Sequence, residues 1–203
     1  MAEAHDWLYS DKVKDHFMHP RNILLDEKGF VADGKGIIGN IKCGDEMIVF
    51  IKVDKEKSVI TDCRWKTYGC ASAIASTSML SEMAKGKTLE EAYHLGAKDI
   101  ARELGGLPEH KIHCSVLGDK ALRAAIDDYY AKHGLTDKIH HDKERVICQC
   151  LGITDKEIEE AVLEGVRDYV ALQEHTKIGT VCGKCKEESI RLMEEYKKKH
   201  FSK

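Results

Sequence analysis

Residues 58–80, SVITDCRWKTYGCASAIASTSML, contain the transition that decides the fold. Val59, Thr61, Cys63 and Trp65 alternate with Asp62, Arg64 and Lys66, the period of two that marks a half-buried strand. From Ala71 through Met83 the residues turn small and helix-compatible. A strand therefore passes into a helix across Gly69 and Cys70, leaving one cysteine at the junction. Cys63 falls on the inward strand face with Val59 and Trp65, where a small apolar side chain is wanted, and is read as packing.

Upstream, EMIVFIKV (46–53) and the polar turn DKEK (54–57) make the strand half of an antiparallel hairpin within a larger sheet. Ser10 can cap a helix carrying Val13 and Phe17 at i,i+4 spacing, which Pro20 stops. Downstream, Gly86 suits a left-handed helix stop, and Thr88 with Glu91 matches a capping box. Val116, Ala121, Leu122, Ala125 and Tyr129 then mark an amphipathic helix. The polar stretch HGLTDKIHHDKER (133–145) has no apolar period and divides the chain into residues 1–133, a linker at 134–144, and a unit at 145–203. In that last unit Thr154–Glu157 forms another capping box, Ile158, Ala161 and Val162 share a face, and ESIRLMEEYKKK (188–199) closes the helices, with YKKKHFSK read as a frayed tail. The expected class is α+β followed by a small all-α domain. A module of roughly 60 residues is marginal unless a metal or other crosslink holds it.

With 32 basic against 35 acidic side chains the formal charge is −3, so there is no positive excess to neutralise a nucleic-acid backbone. The first 17 residues are charged and amphipathic, without the apolar core of a secretory signal, and no run reaches bilayer length. A cytoplasmic protein with neither a nucleic-acid nor a membrane partner is expected. Eight cysteines in a reducing compartment point to metal ligation, redox chemistry or burial rather than disulfides.

Cys43, Cys70 and Cys114 each lie at a turn, in KCGD before a strand, YGCA before one helix and KIHCS before another. Thiolates at helix N-termini are stabilised by unpaired N–H groups and the positive end of the dipole, which applies to Cys70 and Cys114. Asp45 and His113 add an oxygen and a nitrogen ligand beside them. Taken alone, three such thiols are as readily spectators as ligands, His113 as readily a solvated histidine, and Asp45 a turn residue. Cys148 and Cys150 form C-x-C, and Cys182 and Cys185 form C-x-x-C. Two short pairs suit a [2Fe-2S] rhomb with two thiolates on each iron, while zinc on four cysteines is the rival. A thioredoxin-like pair would need a preceding parallel-sheet pattern that the sequence lacks. His140 and His141 in the linker are read as solvated.

YSDKVKDHFMHPRN (9–22), CGDEM (43–47), KTYGCASAIASTS (66–78), KGKTLEEA (85–92) and KIHCSVLGDKALRAAIDDY (111–129) resemble, in order, the pattern of IscU/NifU-type iron-sulfur cluster scaffolds over roughly residues 8–133. The resemblance implies an assembly site at Cys43, Asp45, Cys70, His113 and Cys114. Sulfur would come from a cysteine desulfurase, with Cys114 as first acceptor, and a transient [2Fe-2S] cluster would pass to apo iron-sulfur clients. It also implies iron, zinc as an occasional occupant of that site, an electron donor and a homodimer as partners, and a carrier without turnover of its own. Two features depart from the family pattern: Ala71 replaces a common glycine, and LPEHK (107–111) replaces a Leu-Pro-Pro-Val-Lys segment, which leaves Lys111 but puts docking of an Hsp70-type chaperone in doubt. VICQCLGITDKEIEEAV (146–162) and GTVCGKCKEESIRLM (179–193) resemble the bacterioferritin-associated-ferredoxin-like module of NifU. That likeness implies a permanent [2Fe-2S] centre on Cys148, Cys150, Cys182 and Cys185. The chain stops before the further C-terminal domain usual in NifU. A stable [2Fe-2S] electron carrier and a zinc-binding regulatory protein are the alternative functions.

Overall fold

The computed structural model describes residues 9–40, 45–108, 112–139 and 145–201, apart from the side chains of Asn40 and of residues 112–114. The expectations placed on Cys43 and Lys111, and on the side chains of His113 and Cys114, lie outside the described residues. The chain forms two compact units, Met1–His140 and His141–Lys203. Leu135 and Ile139 pack against the core of the first unit, so the chain leaves that unit later than residue 134.

Three strands form an antiparallel sheet in the order β1 (Gly34–Asn40), β2 (Asp45–Asp54), β3 (Val59–Tyr68). The expected hairpin is β2–β3, with Val49 opposite Trp65 and Ile51 opposite Cys63. Met47, Val49, Ile51, Cys63 and Trp65 share the buried face. A register shift at Lys52/Val53 turns the start of β3 over, so Ile60 is buried there while Val59 is half-buried and Thr61 exposed, against the expected alternation. Strand β1 went unread because GKGIIGN carries three glycines, which sequence propensity counts against a strand. Tertiary packing requires two of them: a Cβ on Gly34 would strike the Ala125 carbonyl, and one on Gly36 the Ala121 carbonyl, so the helix backbone rests directly on β1.

That helix is α5 (Ile112–Lys132), preceded by α1 (Asp11–Met18), α2 (Ala71–Ala84), α3 (Leu89–Tyr93) and α4 (Ala97–Glu103). Ser10 caps α1 by accepting from the Val13 N–H, and its hydroxyl also donates to the Leu104 carbonyl. The buried face of α1 is Val13 and His16, not Val13 and Phe17 as i,i+4 spacing suggested; Phe17 is exposed. Gly86 takes φ +82°, and the Thr88–Glu91 capping box is present. Helix α2 is buried almost all round, with Ser72, Ala73, Ala75, Ser76, Thr77, Ser78, Met79, Leu80 and Ser81 inside. Its hydroxyls are satisfied as burial demands. Ser72 meets the Tyr9 hydroxyl at 2.9 Å, Ser76 meets Ser115 at 2.9 Å, and Ser78 meets His16 Nδ1 at 2.8 Å.

The second unit carries α6 (Asp155–Leu163), α7 (Tyr169–Thr176) and α8 (Lys186–Phe201) around Ile158, Val162, Leu172, Ile178 and Leu192. It is mostly helical rather than all-α, because Val146–Cys148 (β4) pairs antiparallel with Ile153–Thr154 (β5). The Thr154–Glu157 capping box follows that ribbon. The tail is not frayed: α8 runs to Phe201, with Lys199 Nζ 2.8 Å and His200 Nε2 2.7 Å from Glu159 Oε1, and the Arg167 guanidinium 4.2 Å from the Phe201 ring centroid. Burial opposes charge on Glu159, yet those two partners hold its carboxyl down to about 2.

Candidate metal centres

In the first unit the strand-to-helix junction presents Cys70 as the N-cap of α2, with extended backbone at φ −72° and ψ 169°. Its thiol therefore lies where the first N–H groups of the helix are unpaired within the helix. Asp45 opens β2 and is 8% exposed. A Cβ on Gly69 would stand 3.2 Å from the Asp45 Cγ, so the carboxylate packs against the residue that precedes Cys70, where a larger side chain would crowd it. The Ser76–Ser115 hydrogen bond and the approach of Gly118 to Leu80 set α2 and α5 side by side with the same polarity. Their N-terminal ends thus point the same way. His113 and Cys114 lie inside the first turn of α5, not before the helix as the turn reading had them.

The remaining cysteine of this unit is structural. Cys63 is 1% exposed in the core, and burial pushes its thiol up to about 12. The sequence reading overlooked His16, which is buried between Ser78 and Glu82; desolvation lowers its pKa. A histidine among charged residues looks solvated until the fold is known.

In the second unit the four cysteines gather from two turns. Cys148 ends β4, Cys150 sits in the turn closed by Gly152 at φ +71°, and Cys182 and Cys185 occupy the loop leading into α8. The pairs form across the motifs rather than within them. Cys150 Sγ lies 3.3 Å from Cys182 Sγ on the exposed side, and Cys148 hydrogen-bonds Cys185 in the buried side. In each pair one thiol is held low and its mate high. The Gly179 N–H lowers Cys148 and the Lys184 N–H lowers Cys182, whereas burial raises Cys185 and the hydrogen bond to Cys182 raises Cys150. Metal ligation requires thiolates, so binding of a metal ion would displace the protons these thiols carry.

Two thiol pairs match two irons with two sulfurs each. The buried Tyr169 hydroxyl, with the Gln173 side chain against its oxygen, adds a polar proton without an acceptor beside the thiols. The donor set fits an iron-sulfur centre.

An α+β unit with a cysteine and a buried carboxylate at one sheet end, followed by a small four-thiol helical unit, defines a two-part metal-thiolate protein. Residues 8–136 match the NifU-like N-terminal domain and residues 146–195 the BFD-like [2Fe-2S] binding domain. The chain belongs to the NifU-like N-terminal domain family, with a BFD-like module after it. It is 42% identical over 185 residues to the nitrogen fixation protein NifU of Nostoc sp., covering 88% of this chain and 61% of that protein. It is 52% identical over 132 residues to the iron-sulfur cluster assembly scaffold protein IscU 1 of Archaeoglobus fulgidus, covering 65% of this chain and 83% of that protein. The chain thus spans about six-tenths of the NifU length it matches.

Proposed function

We propose that this chain is an iron-sulfur cluster assembly scaffold, a carrier rather than an enzyme, acting in the cytoplasm. The observation that carries the reading is Cys70 capping α2 with the Asp45 carboxylate against Gly69, within a chain of the scaffold family. The chemistry falls in residues 1–133 and 145–203, with 134–144 as the connection. In the first unit Cys43, Asp45, Cys70, His113 and Cys114 hold the cargo, with Lys111 nearby in sequence. A cysteine desulfurase hands sulfur to Cys114 as a persulfide, an electron donor reduces that sulfur to sulfide as iron binds, and an apo iron-sulfur client takes the finished [2Fe-2S] cluster.

A carboxylate is a harder ligand than a thiolate and a poorer match for iron-sulfur chemistry, so Asp45 makes the cargo releasable. In the second unit Cys148, Cys150, Cys182 and Cys185 hold a resident [2Fe-2S] centre. That centre supplies one-electron redox chemistry when bound. The chain's own contribution is four thiols in two pairs, with the Gly179 and Lys184 N–H groups favouring the thiolates the ligands require.

Anaerobic reconstitution with a desulfurase, iron and reductant tests the reading, followed by Mössbauer and paramagnetic resonance spectra of wild type and Cys70→Ala. Wild type should show one lasting and one transferable cluster, and Cys70→Ala only the lasting one. Asp45→Ala should lengthen the lifetime of the transferable cluster and slow activation of an apo-ferredoxin. One reducible cluster with no sulfur uptake would mark an electron carrier, and a colourless zinc protein would exclude both.

A further inference from the structure

Tyr169 opens α7, and its hydroxyl is buried with the Gln173 side chain against the oxygen, while no acceptor for the hydroxyl proton stands within hydrogen-bond geometry among the described residues. Buried hydroxyls nearly always donate, so this proton calls for an acceptor. The position of this hydroxyl is fixed by packing. A Cβ on Gly179 would collide with the hydroxyl, and Gly179, at φ +72°, is the residue whose N–H reaches Cys148. The Tyr169 ring packs against the core cluster that contains Cys148 and Cys185, which places it beside the buried thiol pair. Lys186 Nζ stands 5.4 Å from the Tyr169 ring centroid, and a cation over the ring makes the phenol a stronger donor.

We propose that the Tyr169 hydroxyl donates a hydrogen bond to sulfur of the iron-sulfur centre on the Cys148–Cys185 side and so sets its reduction potential. The inference rests on the resident [2Fe-2S] reading above. Reduction adds negative charge to the centre, and a donor to sulfur stabilises that charge, so the hydroxyl raises the potential. Gln173, whose side chain also lies by the phenol, is the competing partner.

The full chain, washed with a chelator to remove labile iron, is titrated potentiometrically as wild type and as Tyr169→Phe. The variant keeps the ring and should lower the equilibrium constant for one-electron reduction about tenfold, about 59 mV, with the absorption bands retained. Uniform replacement of tyrosine by 3-fluorotyrosine, a more acidic donor, should move the potential upward. Iron–sulfur stretching frequencies should shift in deuterated water more in wild type than in Tyr169→Phe. An unchanged potential in both altered proteins would assign the hydroxyl to Gln173 and overturn the proposal. If Tyr169→Phe fails to hold iron, the fluorotyrosine protein decides alone. A wild-type chain that acquires no [2Fe-2S] absorption fails before any titration, and the resident-centre reading falls with it.

Discussion

At the scale of single residues, the first unit keeps one ionisable group under strain that its neighbours only partly relieve. Asp119 is 6% exposed on α5, where it accepts from the Ala97 N–H at 3.1 Å, while its Oδ1 has no partner among the described residues. Burial raises its pKa to about 6, against the lowering pull of Arg123 and of two backbone N–H groups. Since the ordinary value is 3.8, the folded state binds more protons than the unfolded chain between about pH 4 and 6, and stability falls as pH rises through that window. Asp119→Asn, which keeps an acceptor for Ala97, should therefore stabilise the protein by about 2 kcal/mol at about pH 7.5 and hardly at all at about pH 3.5. Urea midpoints at the two pH values measure this, and equal gains at both would show that charge is not the cause. Sequence gave no sign of this carboxylate, since nothing local says that Asp119 faces the start of α4. Cys63, by contrast, was legible as packing because strand alternation alone puts it inside.

At the scale of elements, the contact between α5 and β1 governs the first unit. The carbonyls of Ala121 and Ala125 occupy the space that side chains on Gly36 and Gly34 would need. Gly36→Ala should cost about 3 kcal/mol, because either the helix or the strand must move. Gly39→Ala is the control: its Cβ would come no nearer than 3.9 Å to the Asp45 carbonyl, so its urea midpoint should stay near wild type. Strand propensity favours Ala over Gly, so equal loss of stability at both positions would contradict the close crossing as the cause. Helix starts were readable from local chemistry, as the boxes at Thr88 and Thr154 attest, because a cap is satisfied within four residues. The end of α8 was not, since Glu159, which anchors His200 and Lys199, lies 40 residues earlier in the chain.

At the scale of the whole molecule, the two units have separate cores and different sources of stability. The first buries Trp65, Met47, Leu80, Ile126 and many others around a sheet, enough for a fold that stands on apolar burial. The second has a smaller core, with Cys148 and Cys185 among its members, so its ligands are part of what must stay in place. Starting from the chain already freed of labile iron, removing the iron held by the second unit should lower the calorimetric transition of that unit and leave that of the first unmoved. A single transition that shifts as one would contradict independent units.

The sequence by itself determined the strand-to-helix junction at Cys70, the main helices, the β2–β3 pairing and the spacing of the eight cysteines, because each is written within a few residues by periodicity, caps and turns. Tertiary structure alone decided that glycines build β1, that His16 is inside, that thiols pair across C-x-C and C-x-x-C, and that Tyr169 lies beside the buried pair. These depend on which surfaces meet over tens of residues, and excluded volume and the need to satisfy buried polar atoms act only once they do.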